Sequence, residues 1–118
     1  MTFSRGDIVI AFFPNASGGG SKPRPVLIVQ SDNYNAKMKN TVVAAVTTNL
    51  KHASDPASVL IEVSSPDGHA FELIQDSVVS CVNLATIDEA LIARKIGKLP
   101  DALMQRVDAS LKVALGLP

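Results

Sequence analysis

The sequence predicts an α+β fold: a small barrel-like sheet of about five to seven strands followed by a C-terminal α-helix. Three observations carry this. Short apolar, β-rich runs recur through the first 100 residues, separated by turn-forming residues. The apolar pattern then changes to a four-residue period, which belongs to a helix. The chain has 118 residues and is 47% hydrophobic, the length of one ordinary domain with the material for a core. Residues 1–118 are therefore expected to form a single domain.

"DIVIAFF", Asp7 to Phe13, is almost wholly apolar and reads as a buried strand that Pro14 and Asn15 stop. "PVLIVQ", Pro25 to Gln30, is a second strand, with proline at its first position. "SDNYNAKMKN" is a polar connection. "TVVAAVTT", Thr41 to Thr48, and "SVLIEV", Ser58 to Val63, are the third and fourth strands. "SSPDG", Ser64 to Gly68, is a turn, because Asp-Gly supplies positive φ. "SVVSCVN", Ser77 to Asn83, is a fifth strand, and "RKIGKL", Arg94 to Leu99, a short sixth. In "PDALMQRVDASLKVALGLP", Leu103, Val107, Leu111 and Leu115 form one apolar stripe, widened by Met104 and Ala114. Pro100 and Asp101 suit the start of that helix and Gly116 its C-terminal cap.

Composition removes several function classes. Mean hydropathy is +0.23, too high for a disordered chain. The sequence holds no apolar run long enough to span a bilayer, and "MTFSRGD" is too polar for a signal peptide, so no membrane role is expected. A single cysteine excludes an internal disulfide framework and fits a reducing cytoplasm. The two histidines, His52 and His69, stand outside any Cys/His cluster, so no metal and no cofactor is expected. Net charge is zero but unevenly spread. Residues 1–50 carry five basic and two acidic side chains, and residues 51–118 carry six basic and nine acidic ones, so the halves are +3 and −3. That leaves room for a local anion site in the first half, without the long basic tract of a non-specific nucleic-acid binder.

The candidate chemistry starts at "GGGSKPRPV". A glycine triplet runs into Arg24, which stands between Pro23 and Pro25. One reading is a mobile loop that presents backbone N–H groups and a pre-positioned guanidinium to an anion. The other is a flexible hairpin loop with an exposed arginine. Thr47, Thr48 and Asn49 end the third strand, where hydroxyls and an amide suit phosphate oxygens, and where β-propensity and a turn explain them equally well. His52 and His69 form either an acid–base pair or two solvated loop residues. Cys81 lies inside an apolar run and reads as a packed thiol. Asp76 and Asp88 flank the fifth strand and read as turn or cap residues.

Four segments then form a recognisable order: "RGDIV" at 5–9, "KPRPVLIVQSDNYN" at 22–35, "VAAVTTN" at 43–49, and "ATIDEALIARKIGKLPDALMQRVDASLKVALGL" at 85–117. Together they resemble the MazF/PemK/Kid toxins of toxin–antitoxin pairs, which are sequence-specific endoribonucleases. The resemblance runs from Arg5 to Leu117. It implies an SH3-like barrel with a C-terminal helix, a homodimer, and an RNA groove for which a cognate antitoxin competes, with DNA binding by the toxin–antitoxin complex. It implies Arg24 and Thr47 as catalytic residues. Gly18, Gly19, Gly20, Ser21 and Lys22 would form a lid over the RNA, with Thr48 and Asn49 as further substrate contacts. The chain departs from the family pattern at Gly18–Ser21, where many members carry Glu-Gln, and at Ala85, Ser80 and Val82, where members carry Arg or Asp.

The implied reaction is metal-independent cleavage of single-stranded RNA, mRNA among it, by the neighbouring 2′-hydroxyl. It leaves a 2′,3′-cyclic phosphate and a 5′-hydroxyl. Arg24 would stabilise phosphoryl charge, and Thr47 would hold a non-bridging oxygen. Two alternatives stay open on sequence: a catalytically decayed member that only binds RNA or antitoxin, and a gyrase poison of the CcdB type.

Overall fold

The computed structural model describes residues 2–14, 19–64 and 75–118. Among the described residues the fold holds six strands: β1 Asp7–Pro14, β2 Ser21–Ile28, β3 Asn40–Thr47, β4 Ser58–Ile61, β5 Ser77–Asp88 and β6 Ile92–Lys98. A helical turn α1, Asp32–Asn35, lies between β2 and β3, and the helix α2, Asp101–Leu115, closes the chain. The strands form one antiparallel sheet in the order β4-β5-β3-β2-β1-β6.

Both faces of the central strands are buried, so their apolar runs are continuous rather than alternating. Ile8, Leu27, Ala44 and Val46 point to one core. Val9, Val26, Ile28, Val43 and Ala45 point to the other. The first core also takes Val59 and Ile61 from one edge of the sheet and Ile96 from the other edge. The two edges thus curl toward a shared interior, which Leu103, Met104 and Val107 of α2 cover. This is the barrel-like sheet with a terminal helix that the sequence predicts. The α2 stripe follows the expected period through Leu103, Val107 and Leu111, but Leu115 in the last turn is exposed. Gly116 caps the helix at φ +68, with the Leu117 amide donating to the Lys112 carbonyl at 2.8 Å.

The start of the chain is a clasp. Gly6 sits at φ +94, a conformation that favours glycine. Its amide donates to the Ile28 carbonyl and its carbonyl accepts from Leu99, both at 2.8 Å. The Arg5 amide donates to Asp32 Oδ1 at 2.7 Å, its Nε donates to the Val29 carbonyl at 2.9 Å, and its guanidinium meets Asp108 of α2 at 2.6 Å. Arg5 therefore ties the chain start to the end of β2 and to the helix.

Three differences from the sequence expectation have physical causes. The polar connection after β2 contains α1, because Ser31 Oγ accepts from the Asn33 amide and the Asn35 side chain is buried in a closed network. Asn35 Oδ1 accepts from Gln30 Nε2 at 2.9 Å and Thr41 Oγ1 at 2.8 Å, while Nδ2 donates to the Gln30 carbonyl at 3.0 Å and Asp32 Oδ1 at 3.1 Å. Strand β2 begins at Ser21 rather than Pro25, since Pro14 pairs with Ser21 and Phe13 with Lys22. Strand β5 continues past Asn83 to Asp88 through an irregularity: Ala45 faces Ser80 but Ala44 faces Leu84. Residues Cys81 to Asn83 are the excess, and Val82 is pushed into solvent at 65% exposure. Gly18, His69 and residues 65–68 of the expected turn lie outside the described residues.

Candidate active site

The site follows from where β2 and β3 stop pairing. Their ladder joins Ile28 to Val43, Leu27 to Ala44 and Val26 to Ala45, and ends there. The Val29 amide donates to the Val42 carbonyl on β3 at 3.0 Å. Amides alternate sides along a strand, so those of residues 27, 25 and 23 also aim at β3. Positions 25 and 23 are prolines and have no N–H to give. On the other side β2 stays paired with β1 through Ser21. The prolines therefore open a slot on the β3 side only.

Continuing the same register by two residues puts Arg24 opposite Thr47. Both line the slot, and a groove lies to each side of it. The first groove, about 450 Å³, is lined by Ile10, Arg24, Pro25, Ala45, Val46, Thr47, Thr48, Gln75, Ser77, Arg94 and Ile96. The second, about 430 Å³, shares Arg24, Ala45 and Thr47 and adds Phe13, Asn49, His52, Ser80, Val82 and Asn83 among others. Among the described residues the two linings hold two arginines, one histidine and no carboxylate, a positively charged set.

Two local devices orient the central pair. The Arg24 guanidinium lies over the Phe13 ring, with Cζ 5.9 Å from its centroid. Phe13 is the diagonal neighbour of Arg24 on β1, because Ala11 pairs with Arg24 and Phe13 with Lys22. Thr47 Oγ1 accepts from the Asn49 amide at 3.1 Å, which fixes the hydroxyl and leaves its own proton to be donated into the slot. Asn49 Oδ1 in turn accepts from the Lys51 amide at 3.0 Å, so the carboxamide presents its NH₂ end outward.

Of the residues singled out from the sequence, the fold brings Arg24, Thr47, Thr48 and Asn49 together. Gly19, Gly20, Ser21 and Lys22 are exposed and line neither groove. Ser21 and Lys22 belong to β2. His52 joins the second groove without His69. Cys81 is fully buried, and loss of hydration pushes its thiol up to about 11, so it is a packing residue. Asp76 and Asp88 accept backbone amides, from Val63 at 2.9 Å and Ala90 at 2.8 Å, as turn and cap residues. Ser80 and Val82 reach the second groove, whereas Ala85 is half-buried against the second core. Phe13, Arg94, Gln75, Ser77 and Asn83 were not legible as site residues. Their places depend on strand pairing and on the β5 irregularity, neither of which leaves a local motif.

Residues 4–115 match the model of the PemK-like, MazF-like toxins of type II toxin–antitoxin systems. The chain belongs to that family. It is 36% identical over 119 residues to the endoribonuclease MazF2 of Mycobacterium bovis, covering 99% of this chain and 100% of that one. The Mycobacterium tuberculosis toxin MazF-mt6 superposes with a TM-score of 0.75 at 28% identity, covering 95% of this chain and 98% of that one. A mycobacterial endoribonuclease in complex with its cognate antitoxin has the same fold, with a TM-score of 0.76 at 24% identity over 99% of this chain and 98% of that one. The Arg24–Thr47 slot joins this chain's R-P and V-T-T-N segments in space.

Proposed function

We infer that this chain is the endoribonuclease toxin of a type II toxin–antitoxin system and cuts single-stranded RNA at a phosphodiester held between Arg24 and Thr47. The observation that carries the reading is the slot itself. Arg24 and Thr47 stand at facing register positions where β2 and β3 stop pairing, and both line the two grooves, which among the described residues hold no carboxylate. The 2′-oxygen attacks the adjacent phosphorus as the bond to the 5′-oxygen breaks. The products are a 2′,3′-cyclic phosphate and a 5′-hydroxyl, and the proton lost by the 2′-oxygen is balanced by one gained at the leaving oxygen. Negative charge grows on the non-bridging oxygens, where a fixed guanidinium and a hydroxyl donor lower the barrier. Arginine stays protonated, so Arg24 supplies charge and is no general base. The reaction needs no metal, and DNA, which lacks the 2′-hydroxyl, is not cut.

The partners follow from the same site. An electropositive groove suits an acidic antitoxin segment that orders on binding and displaces RNA. Residues 1–118 act as one toxin domain in the cytoplasm, as a homodimer whose complex with antitoxin binds DNA. Incubating the protein with a long RNA in excess EDTA and mapping the ends tests the chemistry. Cyclic-phosphate and 5′-hydroxyl ends are expected, and activity that appears only with magnesium contradicts the reading. Light scattering at micromolar concentration is expected to give twice the chain mass, and a monomer would contradict the assembly.

A further inference from the structure

The first groove is lined by a second arginine beside Arg24, and it comes from the far end of the sequence. Arg94 stands on β6, on the opposite side of β1 from Arg24. Ala11 of β1 pairs with Arg24, and its neighbour Ile10 pairs with Arg94. Two strand spacings separate the two arginine backbones, roughly 10 Å. Two bulges bracket the Arg94–Lys95 pair, one between Ile8 and Val9 and one between Ile10 and Ala11 in the β1 register. Bulges re-aim side chains. Lys95 goes to the buried Asp7 carboxylate at 3.1 Å, and Arg94 goes to the groove. The same groove offers the apolar Ile10, Pro25, Val46 and Ile96, and Ile10 stands on β1 between the strands of the two arginines. Gln75, Ser77 and Thr48 add uncharged hydrogen-bonding groups.

That arrangement matches a nucleic-acid strand rather than one phosphate. Successive phosphates of an extended strand lie several ångströms apart, with sugar and base between them. Two arginines two strands apart, in a groove that also carries apolar groups, suit that spacing. We propose that Arg94 is a substrate-binding residue that holds the phosphodiester next to the scissile one, so that Arg24 and Arg94 grip two neighbouring phosphates of the same RNA strand. This rests on the reading of the slot as the cleavage site. Arg94 contributes binding that is equal in the ground and transition states, so it governs KM and the salt dependence, while Arg24 governs kcat.

The test uses the whole chain and a 2′-O-methyl oligoribonucleotide, which binds without being cut. Each phosphate contact on a single strand contributes about 0.7 to the slope of log affinity against log salt. Arg94→Ala is expected to lower that slope by about 0.7, and Arg94→Lys to keep it. Lys98→Ala removes a charge from the same strand outside the groove and is expected to keep it too. On cleavable RNA, Arg94→Ala should raise KM about fivefold at low salt with kcat held. A neutral methylphosphonate placed at one linkage adjoining the scissile bond should abolish the difference between wild type and Arg94→Ala. An unchanged slope, or a difference that survives the methylphosphonate at each of the two adjoining linkages in turn, overturns the proposal. So does a fall in Tm with unchanged slope, which makes Arg94 a structural residue. A wild type that binds with the Arg94 dependence but never cuts leaves this inference standing and removes the cleavage reading instead.

Discussion

Arg24 on β2 and Thr47 on β3 occupy facing register positions beyond the point where their strands stop pairing. The cause is chemical. Pro25 and Pro23 lack the amides that would have extended the ladder toward Val46 and Thr48. Strand β1 holds β2 in place from the other side, so the slot opens without fraying the sheet.

Restoring that donor should close the slot. Pro25→Val gives residue 25 an amide aimed at the carbonyl of Val46. The ladder is expected to extend by one pair, with Tm equal to or above that of wild type. Cleavage should fall on the order of 10²-fold, the penalty of a small misplacement of a catalytic group. Hydrogen exchange of the new amide and the single-turnover rate measure both. A wild-type rate beside a protected amide would show that the slot does not matter.

Phe13 should matter for rate more than for folding specificity. Its ring holds the Arg24 guanidinium at 5.9 Å, a contact worth about 0.5–2 kcal/mol. Phe13→Leu is expected to slow cleavage about two- to thirtyfold, and Phe13→Tyr to restore it. Single-turnover rates with Tm recorded alongside check this. Equal rates for the leucine and tyrosine variants would remove the ring from the site.

The clasp at the chain start predicts an acid-sensitive stability. The Arg5 amide, and after it the Asn35 side chain, hold the Asp32 carboxyl below the usual carboxylate range. A group whose folded pKa is depressed stabilises the fold above its unfolded pKa, near 4 for an aspartate. That stabilisation is lost as pH falls through the depressed folded value. Asp32→Asn should therefore have a lower Tm than wild type at pH 7, with the gap narrowing as pH drops below about 4. A gap that is constant between pH 7 and pH 2 would contradict the linkage.

Much of this molecule was readable before its structure. The strands are apolar runs because both faces of β1, β2 and β3 are buried, and the four-residue period of α2 marks its single buried stripe. The resemblance singled out Arg24 and Thr47, and strand pairing puts them at facing register positions. What the sequence hid depends on pairing. The prolines beside Arg24 look like a clamp on a loop until the direction of each amide is known, and only then do they become the end of a ladder. Arg94 sits in the net-acidic half of the chain, and charge counted along the sequence hides it. It reaches the groove because β6 pairs with β1. His52, Ser80 and Asn83 share a groove only because β5 carries excess residues opposite Ala44 and Ala45. The glycine-rich stretch drew attention by composition, yet Gly19 to Lys22 line neither groove.

The most direct test of the account is single-turnover cleavage of one oligoribonucleotide in EDTA by wild type, Arg24→Lys and Arg24→Ala, with Tm measured on the same samples. Removing one donor to a charged transition state costs on the order of 10²–10³ in rate. Arg24→Ala is expected to lose that much with its fold intact. Arg24→Lys should keep RNA binding but recover little of the rate, because lysine lacks the planar fork that grips two phosphate oxygens. A near-wild-type rate for Arg24→Ala would take Arg24 out of the site, and a large fall in Tm would make it a structural residue.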